Sequence, residues 1–366
     1  MAKNLALQLR RWPQHGGRMH IQDLLDLTVR EGASDLLLSA GAPPMMRLDG
    51  QLTPCSKTVL NPEQTMRVIF SLLTDKQRAR FEERKELDFS LAVGEKERFR
   101  VNVYYQKQAV TAAFRPISDR IPAIETLGLP PSAVALASAR QGLVLVTGPT
   151  GHGKTTTQAA LIDRINQTRA CHVITIEDPI EFVHHHQKSI VDQREVESDT
   201  LGFADALKYI LRQNPDVILI GEMRDLETIQ SALRAAETGH LVFATLHTND
   251  AVQAVDRVVD VFPAAQQQQI RFQMSMCLLA AISQRLLPRA DSEGRILACE
   301  FLKNNTAVAS LIREGKTHLL YGVMETASKE GMITLDQAVK NLYLDGLITY
   351  DEALNCVRDP KTISAL

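Results

Sequence analysis

The chain has 366 residues, 45% of them hydrophobic and 23% charged, with 41 Lys and Arg against 43 Asp and Glu for a formal net charge of −2. These proportions exclude collagen-like, disulfide-scaffold and wholly disordered proteins, and the balanced charge argues against coating nucleic acid or an anionic membrane by bulk electrostatics. The five cysteines (Cys55, Cys171, Cys277, Cys299 and Cys356) are scattered without a C-x-x-C pair, so they read as reduced thiols. No apolar run approaches the roughly 18 residues of a membrane span, and a cytoplasmic protein of two or three domains is expected.

Residues 1–18 carry Lys3, Arg10, Arg11 and Arg18 without an apolar core, which predicts a basic extension rather than a secretory signal, with Met19 as an alternative start. Residues 19–116 alternate helical and strand patterns and predict a small α+β domain with a mixed, partly antiparallel sheet. Within it, Asp49-Gly50 is a hairpin-turn dipeptide. In the strand ERFRVNVYY, period two sets Arg98, Arg100, Asn102 and Tyr104 on one face and Phe99, Val101, Val103 and Tyr105 on the other. Residues 117–131, with Pro122, Gly128, Pro130 and Pro131, predict an interdomain linker.

From residue 132 to 366 the pattern changes to buried, parallel-type strands at 143–147, 172–176, 216–220 and 241–245, interleaved with helices such as Leu226–Glu237. That alternation predicts a doubly wound α/β sheet, followed by a helical C-terminal part over 304–366. Thr334-Leu-Asp-Gln337 and Thr349-Tyr-Asp-Glu352 there have the capping-box spacing.

The most specific motif is GPTGHGKT, which matches G-x-x-x-x-G-K-[ST] between a strand and a helix. Gly148, Gly151 and Gly153 would let backbone N–H groups turn inward around phosphates in a loop completed by Pro149, Thr150 and His152, with Lys154 neutralising oxygens and Thr155, followed by Thr156, opening the helix. The Thr155 hydroxyl is the candidate Mg²⁺ ligand and ATP the expected substrate. His152 occupies a loop position often held by Ser; either it tunes the loop geometry or, on the blander reading, its backbone matters and its side chain points outward.

Hydrolysis further requires carboxylates at strand ends to act on the metal and the attacking water. Glu222 in DVILIGEMRD is the candidate for positioning or deprotonating water, with Gly221 where a Walker B strand usually ends in Asp. In VITIEDPIEF, Glu177 is preferred over Glu181 as the second carboxylate. Taken alone either acidic cluster reads as a solvated loop, but a phosphate loop in the same sheet reverses that reading. His247, after the strand LVFAT, is a candidate γ-phosphate sensor. His184-His185-His186 lacks further ligands at recognised spacing, and a metal role is set aside. Arg98, Arg100 and Arg115 form either a solvated face or a source of arginine delivered onto the γ-phosphate.

On these motifs the chain resembles the type IV pilus retraction ATPases, the twitching-motility PilT family within the secretion and pilus ATPase superfamily. The resemblance runs from about Met19 to Val357 through GASDLLL, GAPPMMRLDG, GPTGHGKTTT, VITIEDPIEFVH with QREV, LRQNPDVILIGEMRD, TGHLVFATLHTNDA, LIREGKTHLL and GMITLDQAVKNLYLDGLITYDEAL. It implies a PAS-like N-terminal domain joined to a RecA-like ATPase, and a homo-hexameric ring that hydrolyses ATP with Mg²⁺. It also implies action on an inner-membrane platform protein at the cytoplasmic face of the pilus base, with a paralogous motor ATPase as a further partner. By position it makes Glu222 the catalytic glutamate, Glu177 the acidic-box carboxylate and His247 the histidine-box sensor, while leaving open which of Arg98, Arg100 and Arg115 touches nucleotide. Two departures are Leu37, where the family often has His, and His152. Pilus retraction is the expected task, with pilus extension or type II secretion as the alternative within the same fold. A ring-shaped nucleic-acid translocase would need basic, aromatic-interleaved loops that the sequence does not display.

Overall fold

The computed structural model describes residues 20–364 apart from 49, 95, 96, 118 and 119, so the basic extension and Asp49 lie outside the described residues. The chain divides into two compact units between residues 119 and 120.

The first unit contains α1 (Ile21–Arg30), β1 (Asp35–Leu38), β2 (Met45–Leu48), β3 (Gln51–Pro54), α2 (Pro62–Phe70), α3 (Asp75–Arg84), β4 (Glu86–Val93), β5 (Glu97–Gln106) and β6 (Ala109–Ile117). Its six strands run in the order β3-β2-β1-β6-β5-β4. Every neighbouring pair is antiparallel, not mixed as the sequence pattern suggested, because short hairpins join β2 to β3, β4 to β5 and β5 to β6. Leu48 pairs with Gln51 and Gly50 has φ 81°, the left-handed geometry that a two-residue turn requires. Phe99, Val101 and Val103 are fully buried with Leu24, Leu36, Phe81 and Phe114, so the apolar face of β5 is the one that packs. Asn61 with Gln64, and Thr74 with Gln77, close complete capping boxes at the starts of α2 and α3.

The second unit opens with residues 120–131. Ile124 is buried against the sheet of this unit, with Ile121, Leu127 and Leu129 packed beside it, so most of the proline-rich segment is part of this unit's surface layer. Then come α4 (Pro131–Val134), β7 (Gly142–Thr147), α5 (Lys154–Thr168), β8 (His172–Glu177), β9 (Ile190–Glu195), α6 (Phe203–Ile210), β10 (Val217–Ile220), α7 (Leu226–Glu237), β11 (Leu241–Leu246), α8 (Ala251–Asp260), α9 (Ala264–Cys277), β12 (Leu278–Pro288) and β13 (Arg295–Lys303). The sheet order is β13-β12-β7-β11-β10-β8-β9, parallel throughout except for the antiparallel β12–β13 pair.

Helices cover both faces, which is why the central strands are largely apolar and buried at nearly every position. Leu143, Leu145, Ile218, Ile220, Val242 and Ala244 face one layer, while Val144, Val146, Val217, Leu219, Leu241 and Phe243 face the other. Beyond β13 lie α10 (Thr306–Glu314), α11 (Leu320–Thr326), α12 (Leu335–Leu344), α13 (Tyr350–Cys356) and α14 (Lys361–Ser364). Thr334 and Thr349 cap α12 and α13 by accepting from the backbone of Gln337 and Glu352. Among the described residues no helix is long and apolar enough to cross a membrane.

Candidate active site

The carboxyl ends of β7, β8, β10 and β11 carry the residues expected to do chemistry, as an open α/β sheet provides. The loop from Gly148 to Gly153 joins β7 to α5. Its glycines adopt φ of 137° (Gly148), 80° (Gly151) and 84° (Gly153), conformations that side chains rarely take. At Gly148 a Cβ would stand 2.4 Å from the carbonyl oxygen of Gln284, so the close approach of loop to strand excludes any other residue. Gly153 stands at the N-cap of α5 and has no side chain to cap it, which leaves the first-turn N–H groups facing a ligand at the positive end of the helix.

Lys154 is buried at 8% exposure, and its Nζ donates to the carbonyl oxygens of Gly148 (2.7 Å) and Pro149 (3.0 Å). Burial lowers its pKa from the ordinary lysine value, while the charges of Glu222 and Glu181 act to raise it. His247 bridges outward from it: Nδ1 lies 3.4 Å from Lys154 Nζ, and Nε2 lies 3.0 Å from Glu222 Oε1. An ammonium can only donate, so the consistent tautomer accepts at Nδ1 and donates from Nε2–H to the carboxylate. The other Glu222 oxygen, Oε2, takes the Arg224 guanidinium at 2.7 Å. Burial by itself would raise the Glu222 pKa, but Arg224 and His247 outweigh it and hold the carboxyl below its usual range.

The loops that present these groups are tied together. Thr147, ending β7, donates its hydroxyl to Thr248 O at 2.6 Å, Ser283 donates to Asn249 O at 3.1 Å, and Thr245 Oγ1 donates to Gly221 O. His247 and Glu222 are thereby held relative to β7 and to each other through β-sheet ends rather than free loops.

The acidic box departs from expectation. Glu177 is 7% exposed, and its Oε1 accepts from Thr175 Oγ1 (2.7 Å) and Gln193 Nε2 (3.0 Å). Burial pushes its pKa up to about 7 against those hydrogen bonds. Glu181, passed over in the sequence, is solvent-exposed and is the acidic-box residue whose charge acts on Lys154. His152 departs too: its side chain does not point outward, because Nδ1 accepts the Leu286 N–H at 2.9 Å. The three neighbouring histidines serve local structure. His184 is buried with its pKa down to about 4, His185 O accepts from Asn166, and His186 Nδ1 accepts from Val191 N–H.

Arg98, Arg100 and Arg115 belong to the first unit. Arg100 and Arg115 sit directly opposite across β5 and β6 and line a cavity of about 250 Å³ with Asp35, Asp88 and Asn102. Arg115 is held by Asp35 through Nε and Nη2 at 2.9 and 2.8 Å, whereas Arg100 has no ion pair among the described residues. Sequence reasoning missed Arg224, although its place two residues after Glu222, at the turn that Asp225 caps into α7, was a usable signal.

The donor set suits a nucleotide with a hard cation. The Thr155 hydroxyl makes no hydrogen bond among the described residues, and a hydroxyl oxygen is a hard donor of the kind that Mg²⁺ prefers.

A family model described as type II/IV secretion system protein matches residues 19–345. The type IV pilus retractation ATPase PilT of Pseudomonas aeruginosa is 47% identical over 343 residues, covering 94% of this chain and 99% of PilT. The type IV pilus ATPase PilU of the same organism is 44% identical, covering 92% of this chain and 88% of PilU. A crystal structure of the pilus retraction motor PilT with bound ADP superposes with a TM-score of 0.89 at 48% identity, covering 95% of this chain and all of that one.

Proposed function

The chain belongs to the type II/IV secretion system protein family, and on that premise we propose that it is an ATP-hydrolysing motor, a ring of six copies, that powers retraction of type IV pili. The observation that carries the hydrolytic part is the continuous polar chain from Lys154 through His247 to Glu222 and Arg224 at the mouth of the phosphate loop. Retraction is favoured over extension or secretion because the likeness to PilT spans nearly the whole of both chains.

In this reading the triphosphate takes the backbone N–H groups of Gly148 and of residues 150–155, Pro149 having none, and Lys154 exchanges its two loop carbonyls for phosphate oxygens. Thr155 would hold Mg²⁺, and the cation would supply positive charge against the charge that develops on the phosphate. His247 exchanges its Lys154 contact for the γ-phosphate side of the site. Glu222, freed from His247, orients the attacking water and accepts its proton. Glu181, exposed and acting on Lys154, is the acidic-box carboxylate that faces this chemistry, while Glu177 supports the strand end from inside. Arg100 and Arg115 are the candidates for arginine delivered to a nucleotide, so that hydrolysis depends on domain setting and can do mechanical work. The ring would push on an inner-membrane platform protein at the cytoplasmic face of the pilus base, in company with a PilU-like paralogue.

Steady-state hydrolysis by the purified chain tests this. ATP turnover should require Mg²⁺ and vanish with EDTA, and Glu222→Gln should lower kcat by about 10²- to 10⁴-fold with little change in KM. Wild-type protein without turnover would overturn the enzymatic reading, and turnover dependent on polynucleotide would replace the pilus motor with a translocase.

A further inference from the structure

The phosphate loop of this chain lies on the hairpin formed by β12 and β13. Gly148 packs against the Gln284 backbone, and a Cβ at Gly153 would lie 3.6 Å from Leu286 Cδ1. Two polar ties reinforce the apposition: Leu286 N–H donates to His152 Nδ1 at 2.9 Å, and Arg295 Nη1 donates to Gly151 O at 3.2 Å. A serine at position 152 has its only polar atom on Cβ, one bond short of the distance at which Nδ1 meets β12.

We infer that His152 is a positioning residue, whose Nδ1 pins the phosphate loop to the Leu286 backbone and so holds the loop N–H groups in the arrangement that receives phosphate. The inference rests on the reading of residues 148–155 as a nucleotide site. The tie exists only while Nδ1 carries a lone pair; protonation sets a second N–H against the Leu286 N–H and breaks it. The charged groups facing the ring are Arg285 from β12, Arg295 from β13 and Lys154 from α5, all cationic. Burial first, then those three charges, hold His152 below the ordinary imidazole value. The brace is therefore present at neutral pH and is lost as pH falls through that lowered value.

The test is calorimetric titration of MgADP into the full chain from about pH 8 to about pH 5, a range that brackets imidazole titration. Wild type, His152→Ser and His152→Asn are compared. Asparagine presents Oδ1 on Cγ, where histidine presents Nδ1, and can accept the same N–H without titrating. Wild-type affinity should fall by about two- to tenfold on the acid side, the worth of one hydrogen bond. His152→Ser should be weakened by a similar factor at pH 8 with no further loss specific to acid. His152→Asn should recover affinity relative to His152→Ser and lack the acid limb. Parallel acid weakening in wild type and His152→Asn, or His152→Ser binding as tightly as wild type at pH 8, overturns the inference alone. Absence of MgADP binding by wild type at pH 8 overturns the nucleotide site and this inference with it.

Discussion

Lys154 donates to His247, His247 donates to Glu222 and Glu222 also accepts from Arg224, so the four side chains form one continuous polar chain. The difference between the two acidic-box carboxylates follows from the same electrostatics. Glu177 is out of water and can stand neutral near pH 7, whereas Glu181 is exposed and acts as a charge on Lys154. Glu181→Gln is accordingly expected to lower kcat by about tenfold or more. Glu177→Gln, which replaces a carboxyl able to be neutral by a neutral isostere, should cost less in kcat and appear chiefly as altered thermal stability; steady-state kinetics beside unfolding curves separate the two. At this scale the sequence made the phosphate loop, Glu222 and His247 legible, because local spacing after an apolar strand fixes them. It did not reveal that Glu181 rather than Glu177 acts on Lys154, nor that His152 turns back onto β12. Both depend on partners far away in the chain, Lys154 in one case and Leu286 in the other.

Among the elements, β13 carries a carboxylate that joins two helices. Glu300 is 2% exposed; its Oε1 accepts the Ala251 N–H that opens α8 at 2.7 Å, and its Oε2 accepts the Leu335 N–H that opens α12 at 3.0 Å. Since α8 begins four residues after His247, the histidine loop is tied through this one side chain to the C-terminal helices. Glu300→Ala strands two buried donors at about 1–3 kcal/mol each, so a loss of about 2–6 kcal/mol in unfolding free energy is expected from denaturant titration. Burial pushes the Glu300 pKa up to about 7 from 4.5. The folded state thus retains a proton that the unfolded chain releases, and the associated stability is present below about pH 4.5 and lost as pH rises through about 7. Glu300→Gln should flatten the melting temperature across that window. The four central strands and α7 were legible as buried apolar runs and a helical period. β9, β12 and β13 were not: β9 is a polar edge strand, and β12 and β13 form a hairpin whose mixed pattern, with Gln284, Arg285 and Glu300, matches neither a buried run nor clean alternation.

At the scale of the whole molecule, the chain folds as two compact units and the likeness to PilT covers nearly all of it. If six copies work as one ring, mixing wild-type with Glu222→Gln chains should depress hydrolysis more steeply than the wild-type fraction falls, and light scattering should find the hexamer for both. The most direct measurement replaces the native protein with Glu222→Gln in its piliated host and counts surface pili per cell by electron microscopy, with twitching scored alongside. Persistent or excess pili with twitching lost is the predicted result. Bald cells, which would make the chain an extension motor, or an unchanged count would contradict it.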